Sequence, residues 1–180
     1  MSEPSETFID FVVHGLAVDR ESDMPILLLR DWACRLMLPI WIGRREASAI
    51  ISAIEEIKLR RPSTHDLMGD AVEALGGRVV AVEICSVAEG TFLGSLLLQD
   101  AHSDQRRLDC RPSDGVALAV RFGAPIRVAP SVLEAAQPFP KDQERSGSNQ
   151  PTPLYDADDV EALKNRLEEM DPADFGEFET

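Results

Sequence analysis

The sequence predicts an α+β domain with a mixed, mostly antiparallel β-sheet that packs with several helices, plus a C-terminal helix after a linker. Hydrophobic residues make up 44% of the 180 residues, enough for a packed core. Short segments rich in Val, Ile and Leu indicate strands, and segments with apolar residues at helical spacing indicate helices. Strands come first, then two helices, then strands, then more helices, and we find no internal repeat.

Three strands are expected before the first helix. They cover residues 8–18, 25–29 and 34–42, with a bulge at Gly15 in the first of them. The third strand ends at Gly43, where a helix can begin. A core-facing stripe at helical spacing then marks that helix: Ala47, Ile50, Ile51, Ile54 and Ile57.

The second helix is expected to begin with Thr64 as its N-cap, because a threonine hydroxyl accepts a hydrogen bond from a first-turn amide. Gly76-Gly77 ends it. Three strands follow, over residues 78–87, 91–98 and 106–110; next come a buried helix after Ser113, a short strand at 125–128 and a short helix from Ser131. The predicted inward face of the second helix consists of Met68, Ala71, Val72 and Leu75.

The composition divides the chain into three parts. Residues 1–136 are predicted to form the folded domain, 137–155 a flexible linker rich in Pro, Ser and Gly, and 156–180 an acidic C-terminal helix and tail. Residues 141–180 contain four basic and twelve acidic residues, so much of the net charge of −14 lies there. Neither residues 1–140 nor residues 141–180 have the positive net charge that is usual for proteins that bind nucleic-acid phosphates.

The cysteines and the N-terminus indicate a cytoplasmic protein. Cys34, Cys85 and Cys110 are far apart and form no CxxC pair, so we interpret them as buried thiols in a reducing compartment and not as zinc ligands. The N-terminus is polar and acidic, unlike a secretion signal. No apolar run approaches the ~20 residues that span a membrane, so we expect no membrane contact.

The most informative segment is residues 109–115, where two acids, an arginine and a serine precede a segment that is apolar on nearly every side. In the structural interpretation, Ser113 caps the helix, Asp114 complements the helix dipole, and Arg111 pairs with Asp109 or Asp114. In the functional interpretation, Asp109 and Asp114 give oxygens to a hard cation such as Mg²⁺, and Arg111 binds a phosphate through its planar guanidinium.

Two other predicted helix starts carry similar groups. His65 is either a surface residue or a general acid–base near neutral pH, and Asp66 beside it occupies the first turn. Glu46 is either a capping-box glutamate that bonds back to the Gly43 amide or a metal ligand at the edge of the core. Helix starts also attract phosphate. If these starts converge, their acids can hold a cation while Arg111 holds an anion, as metal-assisted phosphodiester cleavage requires.

Five ordered blocks, within residues 8–136, resemble the bifunctional nuclease (BFN) domain family. The ending at residues 171–176 also resembles that of some bacterial members. Cys110 and Gly115 stand where the family often has alanine, and neither change removes a candidate ligand. The blocks are Leu38-Pro39-Ile40-Trp41-Ile42-Gly43 with Glu46-Ala47, Arg61-Pro62-Ser63-Thr64-His65-Asp66-Leu67, Gly90-Thr91-Phe92, residues 109–119, and Ala124-Pro125-Ile126-Arg127-Val128 with Val132-Leu133.

The resemblance implies a compact α+β homodimer and a nuclease that cuts both DNA and RNA, so that nucleic acid is the expected substrate. We place its chemistry on the motif residues of this chain, as a metal-dependent enzyme of low sequence specificity that uses a divalent cation, Mg²⁺ or Mn²⁺. The alternative is a non-enzymatic dimeric binding or regulatory module, in which the same residues are helix caps and salt bridges. The candidate catalytic residues are His65, Asp66, Arg111 and Asp114, and the candidate metal ligands are Glu46, Asp109 and Asp114.

Overall fold

A computed structural model describes residues 7–19, 22–136, 139–140 and 152–153 of the chain. Four helices and nine strands lie within these ranges. In chain order they are β1 (Ile9–Val18), β2 (Pro25–Asp31), β3 (Leu36–Trp41), α1 (Arg44–Ile54), α2 (Thr64–Ala74), β4 (Arg78–Ala88), β5 (Thr91–Gln99), β6 (Gln105–Cys110), α3 (Pro112–Phe122), β7 (Ile126–Val128), α4 (Pro130–Ala136), β8 (Phe139–Pro140) and β9 (Thr152–Pro153).

The described strands form one mixed sheet in the order β6-β5-β4-β7-β1-β2-β3-β8, with β9 paired to β1. The pairing of β4 with β7 is parallel, and the other pairings are antiparallel. The predicted fold class is confirmed. The expected bulge at Gly15 is confirmed as well, since the register of β1 against β2 shifts between Val13 and Gly15.

The main core lies between one face of the sheet and helices α1, α3 and α4. Leu27 and Leu29 of β2, together with Val82 and Ile84 of β4, contribute fully buried side chains to it. Helix α3 is the most deeply buried helix, and seven of its eleven residues are buried, from Pro112 through Ala119 with Asp114 as the exception. The apolar composition of this segment therefore indicated its position in the protein correctly.

The predicted inward face of α2 is wrong. Leu75 is 83% exposed and Met68 is 42% exposed, and Gly69 is the buried residue of this helix. The ring of Phe122, at the end of α3, lies so close to Gly69 that a Cβ atom there would clash with it. Helix α2 therefore contacts α3 through Gly69, where the two helices can approach closely because glycine has no side chain. The apolar stripe of α2 faces away from α3.

Two predicted helix caps are also corrected. The N-cap of α2 is Ser63 and not Thr64: the Ser63 hydroxyl accepts the Asp66 amide, and the Ser63 amide donates to the Asp66 carboxylate at 2.8 Å. The N-cap of α3 is Arg111, and no side chain caps this helix. Pro112 occupies its first turn, where the missing N–H of a proline removes one unsatisfied donor.

Most of the predicted linker and the whole predicted C-terminal helix lie outside the described residues. Two short segments of the linker are described, and they pair as β8 with β3 and as β9 with β1. Among the described helices, none combines the length and the apolar composition that crossing a membrane requires.

The close packing of α3 on β4 predicts the effect of adding one methyl group. A Cβ atom at Gly115 would lie 2.6 Å from Val82 Cγ1 and 3.3 Å from Cys110 Sγ. We expect Gly115→Ala to lower the free energy of unfolding by about 1–2 kcal/mol, because overpacking outweighs the better helix propensity of alanine. Gly15→Ala is the matched control, since nothing lies within 4 Å of its Cβ position.

Urea unfolding of these variants measures the effect. Val82→Ala combined with Gly115→Ala should cost less than the sum of the two single substitutions, because the shorter side chain at position 82 gives the new methyl group room. Equal stability of Gly115→Ala and the wild type would show that α3 does not approach β4 this closely.

Candidate active site

The first turns of α1, α2 and α3 meet at one end of the helical layer. Arg111 Nη1 lies 2.8 Å from Glu46 Oε1, which joins α3 to α1. His65 Nε2 lies 3.2 Å from Asp114 Oδ1, which joins α2 to α3. We call Glu46, His65, Arg111 and Asp114 the Arg111 cluster. Four of the six predicted site residues therefore come together from three separate segments.

Arg111 is the centre of this cluster. Its Nε donates to Asp114 Oδ2 at 2.7 Å and its Nη2 donates to Asp114 Oδ1 at 3.0 Å, in a bidentate pair. With the bond to Glu46, three of its five N–H groups are used, and two stay available. The Arg111 side chain is 65% exposed, whereas those of Glu46 and Asp114 are 19% and 26% exposed. The guanidinium thus covers both carboxylates and faces solvent.

The contacts within the cluster favour the charged forms of Asp114 and Arg111. Burial raises the pKa of Asp114, but hydrogen bonds and charge from Arg111 and His65 outweigh burial, so that the pKa lies below the ordinary 3.8. Hydrogen bonding and charge from Asp114, and then from Glu46, raise the pKa of Arg111. The two carboxylates of Glu46 and Asp114 and the one guanidinium of Arg111 have a summed formal charge of −1.

Gly43 permits the position of Glu46. Gly43 is the N-cap of α1, and the Glu46 carboxylate folds over it so closely that a Cβ atom at Gly43 would clash with the carboxylate. The Glu46 carboxylate bonds Arg111 and not the Gly43 amide, so the capping-box interpretation of Glu46 is wrong. The absence of a side chain at Gly43 thus gives the Glu46 carboxylate the room to join the Arg111 cluster.

Asp66 lies outside the Arg111 cluster and joins helices together. Its carboxylate accepts Arg121 Nε at 2.6 Å, and Arg121 Nη1 also donates to the carbonyls of Ala49 and Ala117. Burial raises the pKa of Asp66, but Arg121 and Ser63 outweigh burial and lower it. Sequence reasoning missed Arg121, although a lone cation in the last turn of an apolar helix indicates a partner that balances its charge.

Asp109 is not brought to the cluster either. Neighbouring residues of a strand point to opposite faces of the sheet. Cys110 Sγ lies toward Gly115 of α3, so the neighbouring Asp109 is on the sheet face away from the helices. There Asp109 is exposed, and it lies opposite Ser95 in the register of β5 with β6. The predicted ligand set of Glu46, Asp109 and Asp114 is therefore not assembled.

The donor groups of the Arg111 cluster meet only part of what a metal ion needs. Among the described residues, no three His, Cys, Asp or Glu side chains are placed to hold a metal ion together. Glu46 and Asp114 are two carboxylates that share one guanidinium. Mg²⁺ commonly binds through one or two carboxylates, several waters and substrate phosphates. The pair thus fits an ion shared with a phosphate and does not fit one held by the protein alone.

Comparisons with known proteins show which family this chain resembles. A sequence profile described as the bifunctional nuclease domain matches residues 27–141. An uncharacterized protein of Mycobacterium tuberculosis is 37% identical over 163 residues, which is 91% of this chain and 95% of that protein. Bifunctional nuclease 1 of Oryza sativa subsp. indica is 23% identical over 79% of this chain and 48% of that protein, and bifunctional nuclease 2 of Arabidopsis thaliana is 28% identical over 57% and 32%.

The contacts of Asp66 predict a pH-dependent contribution to stability. Asp66→Asn leaves Arg121, whose side chain is 12% exposed, without its ion-pair partner. We expect a loss of about 1–3 kcal/mol at neutral pH. Because the pKa of Asp66 is lowered in the folded state, the stabilisation is complete above the ordinary value of 3.8 and is lost as the pH falls through the folded value.

Chemical denaturation of Asp66→Asn and wild-type protein between neutral and acidic pH measures this contribution. The difference between the two proteins should narrow below pH 3.8. Asp70→Asn is the control, because this exposed residue on the same helix loses the same charge and has no ion pair among the described residues. A difference that is constant with pH would contradict the assignment.

Proposed function

The chain belongs to the bifunctional nuclease domain family, and from this membership we propose that it is a nuclease that hydrolyses phosphodiester bonds in DNA and RNA with low sequence specificity. The observation that carries the proposal is the convergence of Glu46, His65, Arg111 and Asp114 from three separate motif blocks. Helix caps and surface salt bridges alone do not require these blocks to meet.

Arg111 is assigned to bind the scissile phosphate. Its side chain is exposed, and the two N–H groups that Glu46 and Asp114 leave unused are free to donate to phosphate oxygens. Asp114 holds the guanidinium through two bonds, so its plane is fixed before substrate arrives. Such prior positioning reduces the entropy that is lost when the phosphate binds.

His65 is assigned to transfer a proton. Its Nε2 faces Asp114 Oδ1, and a carboxylate at that nitrogen favours the tautomer with the proton on Nε2. The lone pair then lies on Nδ1, which makes no hydrogen bond within the described part of the chain and is able to take a proton from an attacking water. In this arrangement Asp114 orients His65 and Arg111 at once.

The charge of the cluster supports a requirement for a divalent cation. A net charge of −1 gives a phosphodiester no overall attraction, and one divalent cation changes the local charge to +1. Glu46 and Asp114 would hold Mg²⁺ or Mn²⁺ jointly with the substrate phosphate. When bound, the metal would stabilise the negative charge that develops on the phosphate in the transition state.

The alternative function is a non-enzymatic binding or regulatory module, and one observation favours it. The carboxylates of the Arg111 cluster already have partners within the cluster, and the chain has a net charge of −14. In that case Arg111 would only join α1 to α3. The homodimer is also a proposal, and the exposed apolar residues of α2, Met68 and Leu75 among them, are available for self-association.

The test is cleavage by the purified protein of single-stranded DNA and of RNA, in Mg²⁺ and in chelator. We expect cleavage of both in Mg²⁺ and none in chelator. His65→Ala should lower kcat by about 100-fold or more, because the proton-transfer group is removed. Glu46→Gln should raise the Mg²⁺ concentration that gives half-maximal rate, since one of the two carboxylates loses its charge.

Asp70→Asn serves as the control, because it removes an acid of α2 outside the cluster. Its rate should equal that of the wild type. Asp114→Asn should abolish cleavage, and a thermal melting curve must show that the protein is still folded. Cleavage that persists unchanged in both His65→Ala and folded Asp114→Asn would overturn the roles assigned to His65 and Asp114. Absence of cleavage by the wild type in both Mg²⁺ and Mn²⁺ would favour the non-enzymatic binding module.

A further inference from the structure

We propose that residues 156–170, which we call the C-terminal segment, dock as a helix in an apolar groove of the same molecule. The groove has a volume of about 620 Å³ and lies between β1, the last turns of α1 and α3, and the start of β7. It is therefore at the end of the helical layer opposite the Arg111 cluster, which is built on the first turns of these helices. The inference does not depend on the proposed nuclease function.

The groove is an uncovered edge of the main core. Its floor consists of core residues that are at most 5% exposed, namely Phe11, Ala119 and Ile126. Its rim consists of partly buried residues that pack against the same core, namely Val13, Val120 and Ala124. Ile54 also lines the groove and is 41% exposed, although it continues the stripe of α1 that contains the buried Ile50 and Ile51. Contiguous apolar surface of this kind is typical of a site that another element covers.

The direction of β9 leads the chain toward this groove. Strand β9 is antiparallel to β1 with Pro153 opposite Ala17, so the chain leaves Pro153 toward the N-terminal end of β1. Strand β2 occupies the other edge of β1, and β7 lies farther along the same edge as β9, with Ile126 opposite Phe11. Between β9 and β7, residues 12–16 of β1 have no partner on this edge among the described strands.

The path from β9 to the groove is short. Four further residues in extended conformation, at about 3.3 Å each, cover the ~13 Å of β1 from Ala17 to Val13. Val13 is on the rim of the groove, and Ala124 directly precedes β7 across from it. The chain thus reaches the groove at about residue 157, where the predicted C-terminal helix begins. So short a connection favours docking in the same molecule over docking in a second copy.

The sequence of the C-terminal segment suits an apolar groove. It has one apolar edge at helical spacing, formed by Val160, Leu163, Leu167 and Met170. A helix with a single apolar edge is stable only when that edge is buried against another element. The apolar edge of the segment and the uncovered edge of the core thus satisfy the same need.

The charges of the two parts are complementary as well. The C-terminal segment contains six acidic and two basic residues. The chain that follows Ile54 carries three exposed cations, and none of them has an ion pair within the described ranges: Lys58, Arg60 and Arg61. Exposed ion pairs contribute little free energy, so the cations orient the helix while apolar burial supplies most of the affinity.

Docking at this place has a consequence for the Arg111 cluster. Ile54 lies eight positions after Glu46 on α1, or about 12 Å along the helix axis. The acids of a docked C-terminal segment are therefore held away from Arg111, and its free N–H groups stay available to an anion from solution.

NMR of the full chain with ¹³C-labelled Ile, Leu and Val methyl groups tests the docking. We expect nuclear Overhauser effects between the methyl groups of Ile54 and those of Leu163 or Leu167, because docked side chains approach within about 4.5 Å. The measurement uses the wild-type protein, so it does not depend on a variant that folds.

Two matched pairs of variants locate the contact. Leu163→Asp and Asn165→Asp add the same charge to the C-terminal segment, but Asn165 lies on the opposite side of the predicted helix. Leu163→Asp should abolish the effects and lower the Tm by about 3–10 °C, whereas Asn165→Asp should change neither. Ile54→Glu should act like Leu163→Asp. Leu93→Glu is its control, because Leu93 is 42% exposed and does not line the groove.

A sample that mixes Ile-labelled chains with Leu-labelled chains identifies the molecule that holds the segment. Effects that are present in uniformly labelled protein and absent from the mixed sample would support docking in the same molecule. Effects in the mixed sample would overturn it, because a second copy would then supply the segment. Absence of contacts between Ile54 and the segment in the wild type, or equal losses in Leu163→Asp and Asn165→Asp, would also overturn it. None of these outcomes bears on cleavage of nucleic acid.

Discussion

The burial of helix α3 is the constraint on which the rest of the structure depends. Seven of its eleven residues are buried against the sheet and the neighbouring helices, so the polar groups at its two ends need specific partners. At its start, Arg111 and Asp114 bind each other, and Glu46 and His65 join them from α1 and α2. Toward its end, Arg121 binds Asp66 and the carbonyls of two helices. One buried helix thus requires two polar clusters, and each has one member that is well exposed to solvent: the Arg111 side chain is 65% exposed and the Asp66 side chain is 36% exposed.

His65 and Asp66 show how adjacent residues come to serve different purposes. Successive residues of a helix point about 100° apart, so two neighbours contact different parts of the helix packed against them. His65 reaches Asp114 in the first turn of α3, and Asp66 reaches Arg121 in its last turn. Asp66 thereby stabilises the packing that holds His65 in the Arg111 cluster. A mutation of Asp66 that reduces activity would therefore act through position and stability, and not through chemistry.

Pattern rules predicted the fold class, the Gly15 bulge, and the buried α3 because these depend on local periodicity and composition. They did not predict the partners of the polar residues, which lie 49 residues apart for His65 and Asp114 and 55 apart for Asp66 and Arg121. The stripe of α2 was wrong for a related reason: periodicity identifies an apolar face, but the closest approach of two helices was decided by Gly69 and the ring of Phe122. Three of the resemblance blocks border one cavity of about 350 Å³ beside the Arg111 cluster, although nothing in their local pattern indicated that they would meet.

The structural and catalytic interpretations of the Arg111 cluster describe the same contacts at different stages of binding. Arg111 is 65% exposed and covers carboxylates that are 19% and 26% exposed, so an incoming phosphate meets the guanidinium first. When the two unused N–H groups of Arg111 donate to a phosphate, Glu46 and Asp114 share the charge of the guanidinium with a third anion and lose part of their neutralising charge. Two under-compensated carboxylates next to a phosphate favour a divalent cation more than the free cluster does. Under the proposed function, substrate and metal therefore bind with positive coupling, because the phosphate adds negative charge beside the two carboxylates and the divalent cation offsets it.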